Sequence, residues 1–174
     1  MRSESIEVGS RLELFVDGYL VDGLEGLQYK MHTPQQAPPS PSPVVGYYMT
    51  VITDGDLYRA YYRDHVAGTP TLGTDDDPNT ITCYAESRDG HTWTYPQLGL
   101  HGVYGPQGNN VILAHTAPCS HNFSPFLDTR PGVPAGERFK AVAGVHDGGQ
   151  GGLFGFVSGD GIHWQKIQDR PLIR

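Results

Sequence analysis

The chain has 174 residues, with 12 basic against 19 acidic side chains and a formal net charge of −7. Its 23 glycines and 14 prolines are about a fifth of all residues, against a usual share of roughly 12%, which excludes long helices, a coiled coil and, with no glycine triplet repeat, collagen. The acidity, unrelieved by any lysine or arginine run, argues against binding to nucleic acid or to an anionic membrane, while 10 Tyr, 6 Phe and 2 Trp supply a core that a disordered chain lacks.

Along the chain, the N-terminus M-R-S-E-S-I-E-V-G-S has acids where a signal peptide has its apolar stretch, so a chain starting at Met1 is expected to be cytoplasmic. No apolar run reaches the roughly 18–20 residues of a membrane span. Arg11–Val16, R-L-E-L-F-V, alternates as a short strand does, and Leu27–His32 reads as a second. Pro34, Pro38, Pro39, Pro41 and Pro43 then mark an extended linker. This divides the chain into 1–43, N-terminal strands and linker; 44–100, one four-stranded unit; and 101–174, a second.

In the first unit, Tyr47–Thr53 and Leu57–Arg63 flank Asp54-Gly55-Asp56, the signature of a hairpin. A polar loop over 65–79 carries Asp75-Asp76-Asp77. Thr80–Ser87, the tight turn Arg88-Asp89-Gly90 and His91–Tyr95 complete four antiparallel strands. The second unit repeats the order as Phe123–Leu127, Phe139–Val145, Gly152–Ser158 and Ile162–Ile167, with Gly159-Asp160-Gly161 as its last turn. Cys83 and Cys119 have no C-x-x-C spacing and read as free buried thiols. No metal site and no cofactor is expected.

The repeat is the most informative feature. Ser87–Trp93 and Ser158–Trp164 share S-x-D-G-x-x-W at an offset of 71 residues, and Tyr58–Tyr62 matches Phe139–Ala143 at an offset of 81. The motif suits structure rather than catalysis: Asp-Gly permits positive backbone dihedrals, the Asp carboxylate accepts local N–H groups, and Trp offers a large apolar face to a neighbouring sheet. Four-stranded antiparallel units repeating in sequence predict an all-β fold, a β-propeller, with a β-sandwich as the alternative. Two to three blades fall short of a closed ring, so an incomplete propeller, and self-association through open blade edges, are expected.

These residues resemble the five-bladed β-propeller glycosidases, such as glycoside hydrolase families 32, 43 and 68. S-x-D-G-x-x-W, L-F-V-D-G-Y-L-V, Y-R-A-Y-Y-R and H-N-F-S-P-F-L-D-T-R-P carry the likeness, which runs from about Arg11 to Ile173 and is similar to uncharacterised bacterial members. The resemblance implies an oligosaccharide ligand and an acidic triad. Where family 32 has W-M-N-D-P-N-G, this chain has Val44–Thr50 with no acid, and where it has R-D-P, the chain has Phe123-Ser124-Pro125. The third acid would come from a blade beyond residue 174. No triad acid is matched, which leaves two readings: a glycosidase-like hydrolase, or a non-catalytic carbohydrate-binding relative without activity of its own.

Propeller topology nevertheless locates a face. The loop between second and third strands and the approach to the next unit open on the same side. That side gathers Arg63, Asp64, His65 and Asp75–Asp77 from the first unit, and His121, Asn122, His146 and Asp147 from the second. Asp64, Asp128 and Asp147 are the candidate catalytic carboxylates. Arg63, His121, Asn122 and His146 are the candidate substrate-binding residues. Seven tyrosines, Tyr47 and Tyr48 among them, suit stacking on sugar rings, although filling gaps between blades is the commoner use of such residues.

Overall fold

The computed structural model describes residues 5–105, 109–145 and 151–174. His146 and Asp147 lie outside the described residues. The chain divides after Pro38 into two units. In the first, residues 5–38 contain no strand. Arg11–Val16 and Leu27–His32, each expected to be a strand, are irregular, with Leu12, Leu14, Val16 and Met31 exposed. Alternation supplies a face, but a strand also needs a partner for its N–H and C=O groups. Local turns occupy some of these groups instead: Arg11 N–H donates to the Val8 carbonyl at 3.1 Å and Tyr19 N–H to Asp17 Oδ1 at 2.9 Å.

The second unit is all-β and holds two antiparallel sheets. The first contains β1 (Tyr47–Asp54), β2 (Leu57–His65), β3 (Thr80–Ser87), β4 (Trp93–Thr94) and β5 (Val111–Leu113). They run in the order β1-β2-β3-β4, with β5 also paired to β3. The second contains β6 (Ser124–Leu127), β7 (Phe139–Ala143), β8 (Phe154–Ser158) and β9 (Gln165–Lys166), in sequence order. A 3-10 turn, Ala135–Glu137, precedes β7.

The two S-x-D-G-x-x-W turns are built alike. Ser87 Oγ accepts from the Asp89 and Gly90 amides at 3.2 and 2.9 Å, and Asp89 Oδ1 accepts from the His91 and Thr92 amides at 2.8 and 2.6 Å. Ser158 and Asp160 repeat every bond, to Asp160 and Gly161 at 3.3 and 2.9 Å and to Ile162 and His163 at 2.9 and 2.8 Å. Gly90 and Gly161 take φ of +70° and +76°, where a side chain is strained. This chemistry shortens the strands expected at His91–Tyr95 and Ile162–Ile167. The Asp carboxylate captures amides that a longer strand would turn toward its neighbour.

The fourth strand of each sheet is in two pieces, which the sequence does not announce. In the first sheet β4 pairs with Glu86 and Ser87, and β5 returns beside Thr82 and Cys83. In the second, β9 pairs with Phe156 and Val157, and Ile173 bridges Leu153. Thr82 and Leu153 stand equally far before their turn serines, so Leu113 and Ile173 occupy equivalent places.

The main core lies between the sheets. Ile52, Tyr61 and Tyr84 from the first meet Phe139, Ala141 and Phe156 from the second, with Trp164 packed against them. Trp164 sits edge-on to Tyr61 and Phe123, at 6.2 and 4.9 Å between ring centroids. The Tyr61 hydroxyl is buried and donates to the Gly161 carbonyl at 3.0 Å. The opposite face of the first sheet, Ala60, Tyr62, Cys83 and Ala85, is a second core closed by Val44, Val66, Val103 and Trp93. A strap over 40–46 runs beside it: Trp93 N–H donates to Ser42 Oγ at 2.7 Å and the Tyr95 hydroxyl to the Pro43 carbonyl at 2.7 Å. Cys83 and Cys119 are free and buried, and burial pushes the Cys83 thiol up to about 12.

Candidate functional site

The start of β1, the end of β2, the loop over 66–79 and the approach to β6 converge at one end of the first sheet. Gly46 allows the chain to enter β1, because a Cβ there would stand 2.4 Å from the Tyr62 ring. The β1–β2 register then shifts between Tyr47 and Thr50, and Tyr48 takes a positive φ of 48°. Such a bulge re-aims a side chain. Its result is that Tyr48 meets both Arg63 and His121: the Arg63 guanidinium carbon lies 4.5 Å from the Tyr48 ring centroid and 5.2 Å from that of Tyr47, and the Tyr48 and His121 rings are 5.5 Å apart. Tyr47 and Tyr48 are 68% and 61% exposed, whereas Tyr61 and Tyr84 are fully buried. Exposure thus separates two candidate stacking rings from the packing tyrosines.

Arg63 Nη1 contacts His121 Nε2 at 2.5 Å, and the same Nε2 lies 3.2 Å from Asp75 Oδ1. A guanidinium only donates, so toward Arg63 the imidazole accepts, while toward Asp75 it would have to donate. Burial, reinforced by Arg63, lowers the His121 pKa against the opposing pull of Asp75 and Asp77. Arg63 itself forms no ion pair with a carboxylate of the described residues.

Asp77 organises the loop. Its buried carboxylate accepts the Leu72 and Asn79 amides at 2.8 and 2.9 Å and faces His65 Nε2 at 3.2 Å. The Leu72 amide, helped by Asn79 and His65 and opposed by burial, holds it below the usual carboxylate range. The loop so fixed closes a cavity of about 450 Å³ lined by Tyr47, Arg63, Asp64, His65, Asp77 and His121, with Thr71, Gly73, Thr74 and Thr80. Asp64 is exposed at its rim, where Oδ1 accepts the His65 amide at 2.8 Å.

Of the sequence-derived candidates, the cavity brings together Arg63, Asp64 and His121. Asn122 stands beside them, but its amide is committed to the backbone: Nδ2 donates to the Gly144 carbonyl at 2.6 Å and Oδ1 accepts the Gly144 amide at 2.8 Å. It joins the start of β6 to the end of β7 rather than facing a ligand. Asp128 is elsewhere. It follows β6 at the strand end opposite His121, buried, with Arg130 Nη2 and Lys140 Nζ each at 2.7 Å from Oδ2. Those two partners hold it well below the usual carboxylate range. A carboxylate doubly paired with cations does not serve as a general acid, so the catalytic assignment of Asp128 is withdrawn. Tyr48 was legible only as one of many tyrosines, since its register shift has no local marker. Among the described residues no group of three metal-ligating side chains converges.

No family profile and no curated protein matches the chain. Among solved structures, it is similar to the GH32 beta-fructofuranosidase of Bombyx mori, at 18% identity and a TM-score of 0.45. The similarity covers 71% of this chain and 22% of that enzyme, so the chain spans less than a quarter of the enzyme's length.

Proposed function

We propose that the cavity at the end of the first sheet binds an oligosaccharide. The observation that carries this reading is the pair of exposed rings, Tyr47 and Tyr48, held around Arg63 at the mouth of a cavity that also presents His121 and Asp64. Sugars offer apolar C–H faces and planar sets of hydroxyls. An exposed phenol ring matches the first, and an arginine without an ion pair to a carboxylate of the described residues matches the second with directed donors. The resemblance to propeller glycosidases, carried by both S-x-D-G-x-x-W turns, supports the same ligand class and supports reading the two sheets as blades. A glycan array with the full chain, followed by calorimetry on each hit, tests it. Binding that Tyr48→Ala and Arg63→Ala each weaken at least about tenfold, roughly 1.4 kcal/mol, is the expected result. An array without hits overturns the reading.

Hydrolysis is the second reading, and Asp64 favours it as an exposed carboxylate on the rim with Asp75 beside His121. Glycoside cleavage uses two carboxylates across the bond. Turnover of a bound glycan that Asp64→Asn abolishes, with binding retained, is its expected signature. Binding without any turnover leaves the chain a carbohydrate-binding protein.

A further inference from the structure

We propose that the outer face of the second sheet is a docking surface for a second copy of this chain, which seats its 87–93 turn there. The chain contains one completed example of this contact. The face of the first sheet that carries Ile52, Arg59, Tyr61 and Tyr84 receives the 158–164 turn: Arg59 Nη1 donates to the Asp160 carbonyl at 3.1 Å, the Tyr61 hydroxyl donates to the Gly161 carbonyl at 3.0 Å, and Trp164 packs edge-on to Tyr61. The approach is close enough that a Cβ on Gly161 would stand 2.6 Å from the Tyr61 hydroxyl.

Strand register identifies the counterpart of that receiving face. Ile52, Arg59 and Glu86 lie in one row across the first sheet, and Phe126, Lys140 and Val157 in one row across the second. The charges repeat too. Asp54 pairs with Arg59 at 2.9 Å, and Asp128 pairs with Lys140 at 2.7 Å. The outer face of the second sheet therefore repeats this row and its ion pair, with Val142 and Gly155 where the first sheet has Tyr61 and Tyr84, and no S-x-D-G-x-x-W turn of the described residues seats on it. Ile52 is 8% exposed under the second sheet, whereas Phe126 is 48% exposed, and Ile167 and Leu172 beside Gly155 are half exposed as well.

The matching knob is also free. Gly161 is buried and its carbonyl is bonded, but Gly90 is exposed, and no hydrogen bond of the described residues reaches the carbonyls of Asp89 or Gly90. The strap holds only the later part of this turn, through Ser40 Oγ on the His91 carbonyl and Ser42 Oγ on the Trp93 amide. One unfilled receiver and one unseated turn of the kind it receives occur on different surfaces of a single chain. Copies therefore join head to tail, a heterologous contact, with Lys140 placed to take the turn carbonyl as Arg59 does within the chain.

Sedimentation velocity on the full chain over a wide concentration range tests this. Reversible association is expected. Val157→Asp should block the receiver and His91→Glu the knob, so each variant alone should sediment as a monomer with an unchanged melting temperature. If Val157→Asp folds poorly, Phe126→Lys replaces it, because that ring is already half in solvent. Mixed together, the two variants each retain one working surface and should form a one-to-one dimer that grows no further. A wild-type chain that stays monomeric, association that survives either variant, or a mixture that stays monomeric overturns the proposal.

Discussion

Asp54 and Asp128 occupy equivalent positions where the first strand of each sheet ends, and each gathers two cations, Arg59 with Arg138 and Arg130 with Lys140. At the scale of the residue this equivalence explains a carboxylate that the sequence alone suggests as an acid catalyst. Asp128→Asn is expected to lower the melting temperature and leave glycan affinity unchanged; a loss of affinity with unchanged melting would overturn this structural role. The carboxylates that are held below their ordinary range also set an acid limit. Backbone amides of Thr92 and His91 depress Asp89, the paired cations depress Asp128, and at Asp160 the His163 and Ile162 amides overcome burial. A depressed carboxylate contributes stability that is fully present above its unfolded value, about 3.9, and is lost as the pH falls below it. Melting temperature should therefore fall below about pH 4, and less steeply in Asp160→Asn. The lowered pKa of His121 acts earlier: the unfolded chain takes up that proton first, so stability should begin to decline as the pH drops through about 6.5. His121→Gln should flatten that part of the profile, as followed by thermal melts in a pH series.

At the scale of the element, the twin turns are where local sequence and packing agree. Asp-Gly spacing marks both turns in the sequence, and serine, aspartate and glycine supply the bonds within them. Their energetic weight comes from what they touch. Trp164→Ala should cost about 3–5 kcal/mol, because the indole fills the space between Tyr61 and Phe123. Tyr61→Phe should cost about 1 kcal/mol for its bond to Gly161, with denaturant unfolding as the measurement for both. Gly161→Ala and Gly55→Ala separate backbone strain from crowding. Both glycines have positive φ, but a Cβ at Gly55 meets nothing within 4 Å. Gly55→Ala should lose about 1 kcal/mol, and Gly161→Ala distinctly more. Equal losses would remove the crowding argument. Other elements were not legible. β5 follows Asn109-Asn110 as a three-residue apolar run, too short to show a period, and its pairing beside Cys83 is a tertiary choice. Arg11–Val16 shows the converse, a clear period with no partner strand.

At the scale of the whole molecule, the sequence repeat implied that one sheet would pack on the next, and the register shows how: the inner face of the second sheet lies on the outer face of the first. The candidate site was legible as a set of loops on one side. It was not legible as chemistry, because the commitments of Asn122 to Gly144 and of Asp77 to Leu72 and Asn79 arise between segments distant in sequence or through loop closure. The buried thiols give a check on the folded state. With Cys83 raised to about 12 and Cys119 raised by burial, neither should react with an alkylating reagent at pH 8 until the chain unfolds. Rapid native labelling would mean that the core between and behind the sheets opens readily. The two-piece fourth strand has a bearing on solubility. A long, flat outer strand would offer its unpaired amides to any extended peptide and so template fibrils. Here the β4 edge of one sheet and the β9 edge of the other are broken after two residues, so at those edges a growing cross-β stack finds no continuous rail to extend.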